Sequence, residues 1–497
     1  MTARLLPNTS AQPVWRRSGI RALESRLQSQ SATPLMDLAG LAAARLALAT
    51  APHARRIWIV AGPGNNGGDG LEAAIQLQHM GRTVQVNLLC EPQRMPTDAR
   101  RAFDRATQAG IDIQIGLPSS APDLTEQDLC IDAMLGIGAT RPPEGDMLQA
   151  TRLINASAAI VLALDIPTGL DADSGQPLGP PESVVQADHT LTLLGPKPGL
   201  FMGHGRDACG TLWLAPLGWA ADATAPPAPD AELNPLAAPA PRRHASHKGC
   251  HGDVAIIGGE PLETRGMGMT GAAVLAAQAA LNAGAGRVML CLLGQETFIP
   301  SASADLMRRN LSALDLPRLT VVAGCGGGHA IAQALGQILQ RSARLVLDAD
   351  ALNGVAKDAW LQRLLADRSA RQHPTVLTPH PLEAARLLGI STDEVQSDRL
   401  EAAHQLARRF DCCVVLKGSG TVIAAPGHTP RINTTGNGRL AIGGTGDVLA
   451  GLTGARLAAS GQAWQAACEA VWTHGHMADT WPAGLALTAS RLAEHLR

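Results

Sequence analysis

The run Gly443-Gly444-Thr445-Gly446-Asp447 leads straight into an apolar, helix-compatible stretch over residues 448–457. Small residues at a helix start let successive backbone amides converge, which makes an anion hole for a phosphoryl group in transfer. A carboxylate at that point can take the proton of a hydroxyl as its oxygen attacks phosphorus, so Asp447 is the candidate base. Thr-Gly-Asp is also a good ordinary helix cap, so the neighbouring motifs must decide. Three precede it in order. LDADALN ends a strand with Asp348 and Asp350; TPHPLE sets His380 and Glu383 beyond the next strand; LKGSGT supplies Lys417, Gly418, Ser419, Gly420 and Thr421. Two carboxylates suit a cation or substrate hydroxyls, and a lysine among small residues suits nucleotide phosphates. No Walker loop occurs, which excludes a P-loop enzyme.

A second set of reactive residues lies in the first half. GPGNNGGDG carries Asn65, Asn66, Gly67, Gly68 and Asp69 between a strand-like run and a helical one. Such a Gly-rich turn presents backbone amides to phosphate. Its Asn and Asp oxygens exceed what a structural turn requires. DAMLGIGATRP places Asp132 ahead of a second loop, and LDIPTGLD places Asp165 and Thr168 ahead of a third. Loops beyond the carboxyl ends of parallel strands meet in one crevice. Asn, Asp and Thr oxygens there suit a hard cation.

The elements that must position these loops alternate along the chain. Strand-like runs at 57–61, 84–90, 111–115, 128–132, 159–165 and 189–194 are separated by helical stretches such as 70–80 and 97–109. After a break they resume at 253–258, 287–293, 319–323, 344–348, 374–378 and 413–417, with helices such as 270–283. The pattern predicts an α/β protein with two mostly parallel sheets, each covered by helices on both faces. The break is the Pro- and Ala-rich stretch 221–241, read as a linker between domains at 1–220 and 242–497. At 497 residues the chain is long enough for both.

Composition removes several function classes. A formal net charge of −2 gives no electrostatic case for nucleic acid or an anionic membrane surface. No uninterrupted apolar run approaches the ~18 residues of a membrane span. Nine cysteines without a CxxC pair argue against a disulfide framework or a structural zinc site. The cytoplasm is the expected compartment, and a homo-oligomer is expected.

Taken in order, RALES…LMDLAG, GPGNNGGDG, DAMLGIG, LDIPTGLDADSG and LLGPKPGL resemble the NAD(P)H-hydrate epimerase family over about 15–220. That resemblance implies a Rossmann-like doubly wound sheet. It also implies that Asn65, Asn66, Gly67, Gly68 and Asp69, with Gly136, Ile137, Gly138, Ala139, Thr140, Arg141 and Pro142, hold the hydrated dinucleotide. By the same resemblance Asn66, Asp132 and Thr168 ligate potassium, Asp165 is the catalytic acid/base and Lys197 assists it. Asp37 departs from the more usual Glu. Over about 244–490 the order DADAL, TPHP, KG, GGTGD, after HKGCHGDVAIIGG and TGAAVLAAQAALNAGAGRV, is similar to the ribokinase-like superfamily, in its NAD(P)H-hydrate dehydratase branch. That implies a ribokinase-like α/β/α domain in which Ala272, Gly326, His380 and Asp447 meet the hydrate. Lys417 to Thr421 and Gly446 would bind the nucleotide, with ADP as donor and magnesium as its cation. Cys325 stands where that family has Pro, and Leu382 where it has Gly.

The joint implication is a bifunctional enzyme acting on hydrated NADH and NADPH (NADHX and NADPHX). Its first half would exchange the R and S epimers and its second would dehydrate the S epimer. An alternative stays open from the residues: a small-molecule kinase fused to a noncatalytic dinucleotide sensor.

Overall fold

A computed structural model of the chain describes residues 2–5, 10–118, 122–219, 227–236, 244–294 and 304–496. It divides into two compact units, one built on Pro13–Ala231 and the other on Glu232–Arg497. The α/β class predicted from the alternating runs holds in both.

The first unit is organised on an eight-stranded sheet in the order Ala3–Arg4, Thr211–Ala215, His189–Leu193, Ile160–Leu164, Leu129–Ala133, Arg56–Ala61, Thr83–Leu88, Asp112–Ile115. All pairings are parallel except that of Ala3–Arg4 with Thr211–Ala215. Alternation along RIWIVA divides the interior. Ile57, Ile59 and Ala61 belong to a core shared with helices Leu35–Thr50, Asn65–His79 and Thr97–Gln108, whereas Trp58 and Val60 join one shared with helix Asp146–Asn155. Period-2 side-chain direction thus gives two covered faces, the doubly wound arrangement. Strand Arg56–Ala61 lies between Thr83–Leu88 and Leu129–Ala133, so strand order reverses there. A crevice opens at the carboxyl ends of such a pair.

The second unit carries the parallel order Met307–Arg308, Arg287–Leu292, Asp253–Gly258, Thr320–Ala323, Arg344–Leu347, Thr375–Leu377, Cys413–Leu416. Antiparallel strands Val422–Ala424 and Arg431–Ile432 extend it. Order reverses at Asp253–Gly258. Helix Thr445–Ser460 packs on this sheet and on helix Thr270–Asn282. The approach is close enough that a side chain at Gly451 would overlap the Ala276 carbonyl, and one at Gly454 would overlap Val322. Small residues on this helix therefore fix where its N-terminus meets the strand ends.

Two expectations change. The Gly-rich turn 65–69 is not a loop before a helix but the first turn of helix Asn65–His79. Its glycines serve packing, because a Cβ at Gly67 would overlap the Gly62 carbonyl and one at Gly68 would press on Met36. In the stretch 221–241, residues 221–226 and 237–241 lie outside the described residues. Its middle is a strand, Ala231–Leu233, whose Glu232 and Leu233 pair in parallel with Arg431 and Ile432. Three residues with two ladder partners suffice for a strand that proline-rich flanks conceal. Among the described residues no single helix is long and apolar enough to cross a membrane.

Candidate functional sites

The crevice of the first unit is a cleft of about 1070 Å³. Asn65, Asn66, Asp69, Gly136 to Pro142 and Asp165 all line it. Gly67 and Gly68 instead face inward. Lys197 is fully buried behind Asp165. Its ammonium donates to Asp165 Oδ1 at 2.5 Å, to Thr192 Oγ1 at 2.9 Å and to the Leu193 carbonyl at 2.7 Å. All three donors are thus used. Burial lowers the Lys197 pKa, and the Asp165 charge opposes that. Asp165 Oδ2 accepts the Ile137 N–H at 3.0 Å, and the Asp165 backbone is left-handed, φ +67°. The residue at this strand end is therefore held in an unfavourable conformation that aims its carboxylate at the Gly136 turn.

That turn is the hub of the site. Asp132 Oδ1 accepts the Met134 N–H and the Thr168 hydroxyl, while its Oδ2 accepts the Thr168 N–H. Thr168 Oγ1 in turn accepts the Leu135 N–H at 3.0 Å. A Cβ at Gly136 would stand 3.0 Å from Asp165 Oδ2 and 3.5 Å from Asn66 Cβ. Asn66 is buried, and neither its amide oxygen nor its nitrogen has a hydrogen-bond partner among the described residues. A buried amide left unpaired costs on the order of 1–3 kcal/mol, so it signals a missing ligand. Burial raises the Asp132 carboxyl to about 6. An orphaned amide oxygen against the turn that Asp132 and Thr168 brace fits a hard cation.

Two acidic groups add to this cleft. Half-buried Asp69 is pushed well above the usual carboxylate range by burial, then by the charges of Asp165 and Glu24. Glu24, on helix Arg17–Gln30, is raised by burial and then by Asp165. Sequence reasoning missed Glu24 as a lining residue, although it lies inside the quoted RALES segment. Asp37 has a structural partner: Arg105 reaches its Oδ1 at 2.9 Å and also binds buried Glu72. This ties together the three helices of one face.

In the second unit the expected motifs converge at the carboxyl ends of the strands. Lys417 Nζ donates to Asp348 Oδ1 at 2.6 Å, and the Thr378 hydroxyl donates to the same oxygen at 2.7 Å. Burial works against the Lys417 ammonium, but the charges of Asp348 and Glu383 outweigh it and raise its pKa. A Cβ at Gly446 would lie 3.5 Å from Lys417 Nζ, so the lysine reaches the helix start that carries Asp447. Asp447 sits in the first turn of that helix, and burial followed by the Asp348 charge raises its carboxyl to about 6. The buried Cys325 thiol adjoins Asp447, its Sγ lying within 4.8 Å of an Asp447 carboxylate oxygen. Ala272 and Gly326 also adjoin, since a Cβ at Gly326 would come 2.9 Å from Ala272 Cβ.

His380 has a clear local task. Its Nδ1 accepts the Leu382 and Glu383 N–H groups, and Glu383 returns to the His380 N–H, a capping box on helix Pro381–Leu388. Its Nε2 lies 3.1 Å from Glu383 Oε1. Leu382 is exposed and adds bulk outside that cap. Two supports escaped sequence reasoning. Buried Arg399 donates to the Leu416 and Lys417 carbonyls at 3.1 and 3.2 Å, beneath the segment of Gly418, Ser419, Gly420 and Thr421. Buried His474, lowered to about 4 chiefly by burial, meets the Thr445 carbonyl at 3.0 Å. Neither belongs to a motif, because each works from a distant helix.

A family model described as NAD(P)H-hydrate dehydratase matches residues 254–497, and one described as YjeF-related protein N-terminus matches residues 32–199. The bifunctional NAD(P)H-hydrate repair enzyme Nnr of Escherichia coli is 36% identical over 499 residues, covering 95% of this chain and 90% of that one. The enzyme of the same name from Vibrio cholerae is 35% identical over 486 residues, with 93% and 92% covered. A solved ADP/ATP-dependent NAD(P)H-hydrate dehydratase of Bacillus subtilis, co-crystallised with ATP and Mg2+, is 29% identical, with 52% of this chain and 91% of that chain covered at a TM-score of 0.42.

Proposed function

The chain belongs to the family of bifunctional NAD(P)H-hydrate repair enzymes, and we propose how its two sites share the work. Residues 1–220 carry the epimerase and 242–497 the dehydratase. The observation that carries the first assignment is a cleft-facing carboxylate, Asp165, oriented by a saturated lysine and a backbone N–H. The hydrate holds a hydroxyl on the carbon next to the ring nitrogen. Asp165 protonates that hydroxyl as it leaves, the ring nitrogen stabilises the resulting iminium, and Asp165 takes a proton from the water that adds to the other face. Lys197 orients the carboxylate. Asn65, Asn66, Asp69 and the Gly136-to-Pro142 loop hold the dinucleotide. Potassium held by Asn66, Asp132 and Thr168 would supply positive charge beside the Gly136 turn.

In the second unit Asp447 takes the proton of the same hydroxyl of the S epimer as its oxygen attacks the β-phosphorus of ADP, releasing AMP. The amides at Gly446 and its neighbours receive the charge on the transferred group. Lys417, with Gly418, Ser419, Gly420 and Thr421, holds the nucleotide, while Ala272, Gly326 and His380 face the hydrate. Phosphate is a better leaving group than hydroxide. It departs as a ring proton is lost and the double bond reforms, leaving NADH or NADPH. The side-chain donors of Cys325, Asp348 and Asp447 lie within 4.8 Å of one another. A buried thiol and an already paired Asp348 do not suit magnesium as a protein cage. The ion would arrive on phosphate oxygens of ADP.

The deciding experiment incubates the protein with mixed R and S hydrates and ADP and follows nicotinamide absorbance. Complete recovery of reduced cofactor is expected. A plateau once the S form is consumed would remove the epimerase assignment, and no recovery with ADP or ATP would remove the dehydratase.

A further inference from the structure

Cys325 is the one residue of the GCGGG loop, Gly324 to Gly328, that carries a side chain, and that side chain is fully buried. Its backbone is committed to the fold: its carbonyl accepts the Gly259 N–H at 3.0 Å, and a Cβ at Gly258 would overlap that carbonyl. The Cys325 Cβ is therefore fixed, and Sγ has a fixed reach. It lies at the first turn of helix Thr445–Ser460, within 4.8 Å of a carboxylate oxygen of both Asp348 and Asp447.

The two carboxylates are not equivalent. Asp348 Oδ1 is already engaged by Lys417 and Thr378. Asp447 has no side-chain hydrogen bond among the described residues to either of those donors. A carboxylate that must accept a proton along one direction needs one oxygen anchored and the other free. We infer that the Cys325 thiol is a positioning residue for the phosphoryl-transfer step: its S–H holds one oxygen of Asp447 so that the other faces the substrate hydroxyl. A thiol is a weaker donor than a hydroxyl, so it orients the base while taking little of its basicity. Burial beside two carboxylates also keeps this sulfur in its S–H form, with a pKa well above the ordinary thiol value. Reorienting an anchored group by about 1 Å is enough to cost a large factor in rate.

The inference rests on Asp447 as base, and the experiment separates the two. Steady-state kinetics of the full chain with the S hydrate and ADP are compared for the parent, C325S, C325A and C325V, with Asp447→Asn as reference and epimerase activity and thermal melting as folding controls. We expect C325A and C325V, which lack a donor, to lose roughly tenfold in kcat while KM for ADP stays within about twofold, the pattern of an interaction made in the transition state. C325S, which keeps a donor, should stay within about threefold of the parent. Equal kcat in C325A and the parent would overturn the inference. So would a C325S as slow as C325V, because space rather than a donor would then matter. If C325A alone misfolds, the comparison of C325S with C325V, a donor against none, decides. An Asp447→Asn variant with full activity would instead overturn the base assignment itself.

Discussion

Lys197 and Asp165 form a buried ion pair in which the lysine is saturated and the aspartate is not. The ammonium has three acceptors and no exposure, whereas the Asp165 carboxylate still faces the cleft. The lysine is thus the fixed partner, and the aspartate is the one left open to the cleft. Removing one partner of a buried pair leaves the other uncompensated and costs about 3 kcal/mol. Lys197→Met should lower the melting temperature of the first unit and slow R-form consumption at least tenfold, with ADP-dependent loss of S hydrate retained. Unchanged epimerisation in a folded Lys197→Met protein would contradict this.

The two carboxylates proposed to transfer protons should be separable by substitution. Asp447→Ala is expected to abolish recovery of reduced cofactor from S hydrate while R and S still exchange. Asp165→Ala should do the converse and leave R-hydrate loss at its spontaneous rate. Chromatographic separation of the epimers over time reads both.

The dehydratase should also report its base through pH. Asp447 titrates near 6, raised by burial and then by Asp348. Because only the ionised form accepts a proton, kcat/KM for the S hydrate should be flat above that value and fall about tenfold per unit below it. A limb centred near 4 would show that another group limits the rate.

Gly136 tests the hub of the epimerase cleft. An added methyl would crowd Asp165 Oδ2 and Asn66. Gly136→Ala should therefore reduce epimerisation by roughly tenfold or more, in line with small displacements of a reacting group, without affecting dehydration. Rates on purified R hydrate, with the dehydratase in excess, measure it.

Arg399 tests the nucleotide segment. Its Nη2 holds two successive carbonyls, those of Leu416 and Lys417. Arg399→Met should leave these groups unpaired, cost about 2 kcal/mol of stability, and raise KM for ADP more than it lowers kcat. Isothermal titration with ADP would show the same weakening.

Much of this was legible because parallel strands buried on both faces read as short continuous apolar runs. Strand Asp253–Gly258 falls on its expected range, and Arg56–Ala61 and Thr320–Ala323 fall within one residue of theirs. Motifs at strand ends singled out Asp165, Asp348 and Lys417 for the same reason, since topology gathers those ends, and a helix start brings Asp447 to the last two. What stayed hidden was support arriving from elsewhere. His474 reaches Thr445 from 29 residues away, and nothing local distinguishes a histidine inside an apolar helix from packing. The three-residue strand Ala231–Leu233 was lost in a proline-rich stretch because its partner lies some two hundred residues on. The Gly-rich turn at 65–69 misled because glycine marks both loops and tight helix contacts.

The left-handed backbone of Asp165 ties foldedness to turnover at a single codon. A left-handed conformation costs a side chain about 1 kcal/mol that glycine does not pay, but Asp165→Gly would also strand the buried Lys197 ammonium at a cost of about 3 kcal/mol. Protein quality control, sensing only foldedness, would therefore register that loss even where the R epimer is never met. A lineage relieved of the need to salvage that epimer should keep aspartate here until Lys197 is replaced as well, and lose the two together.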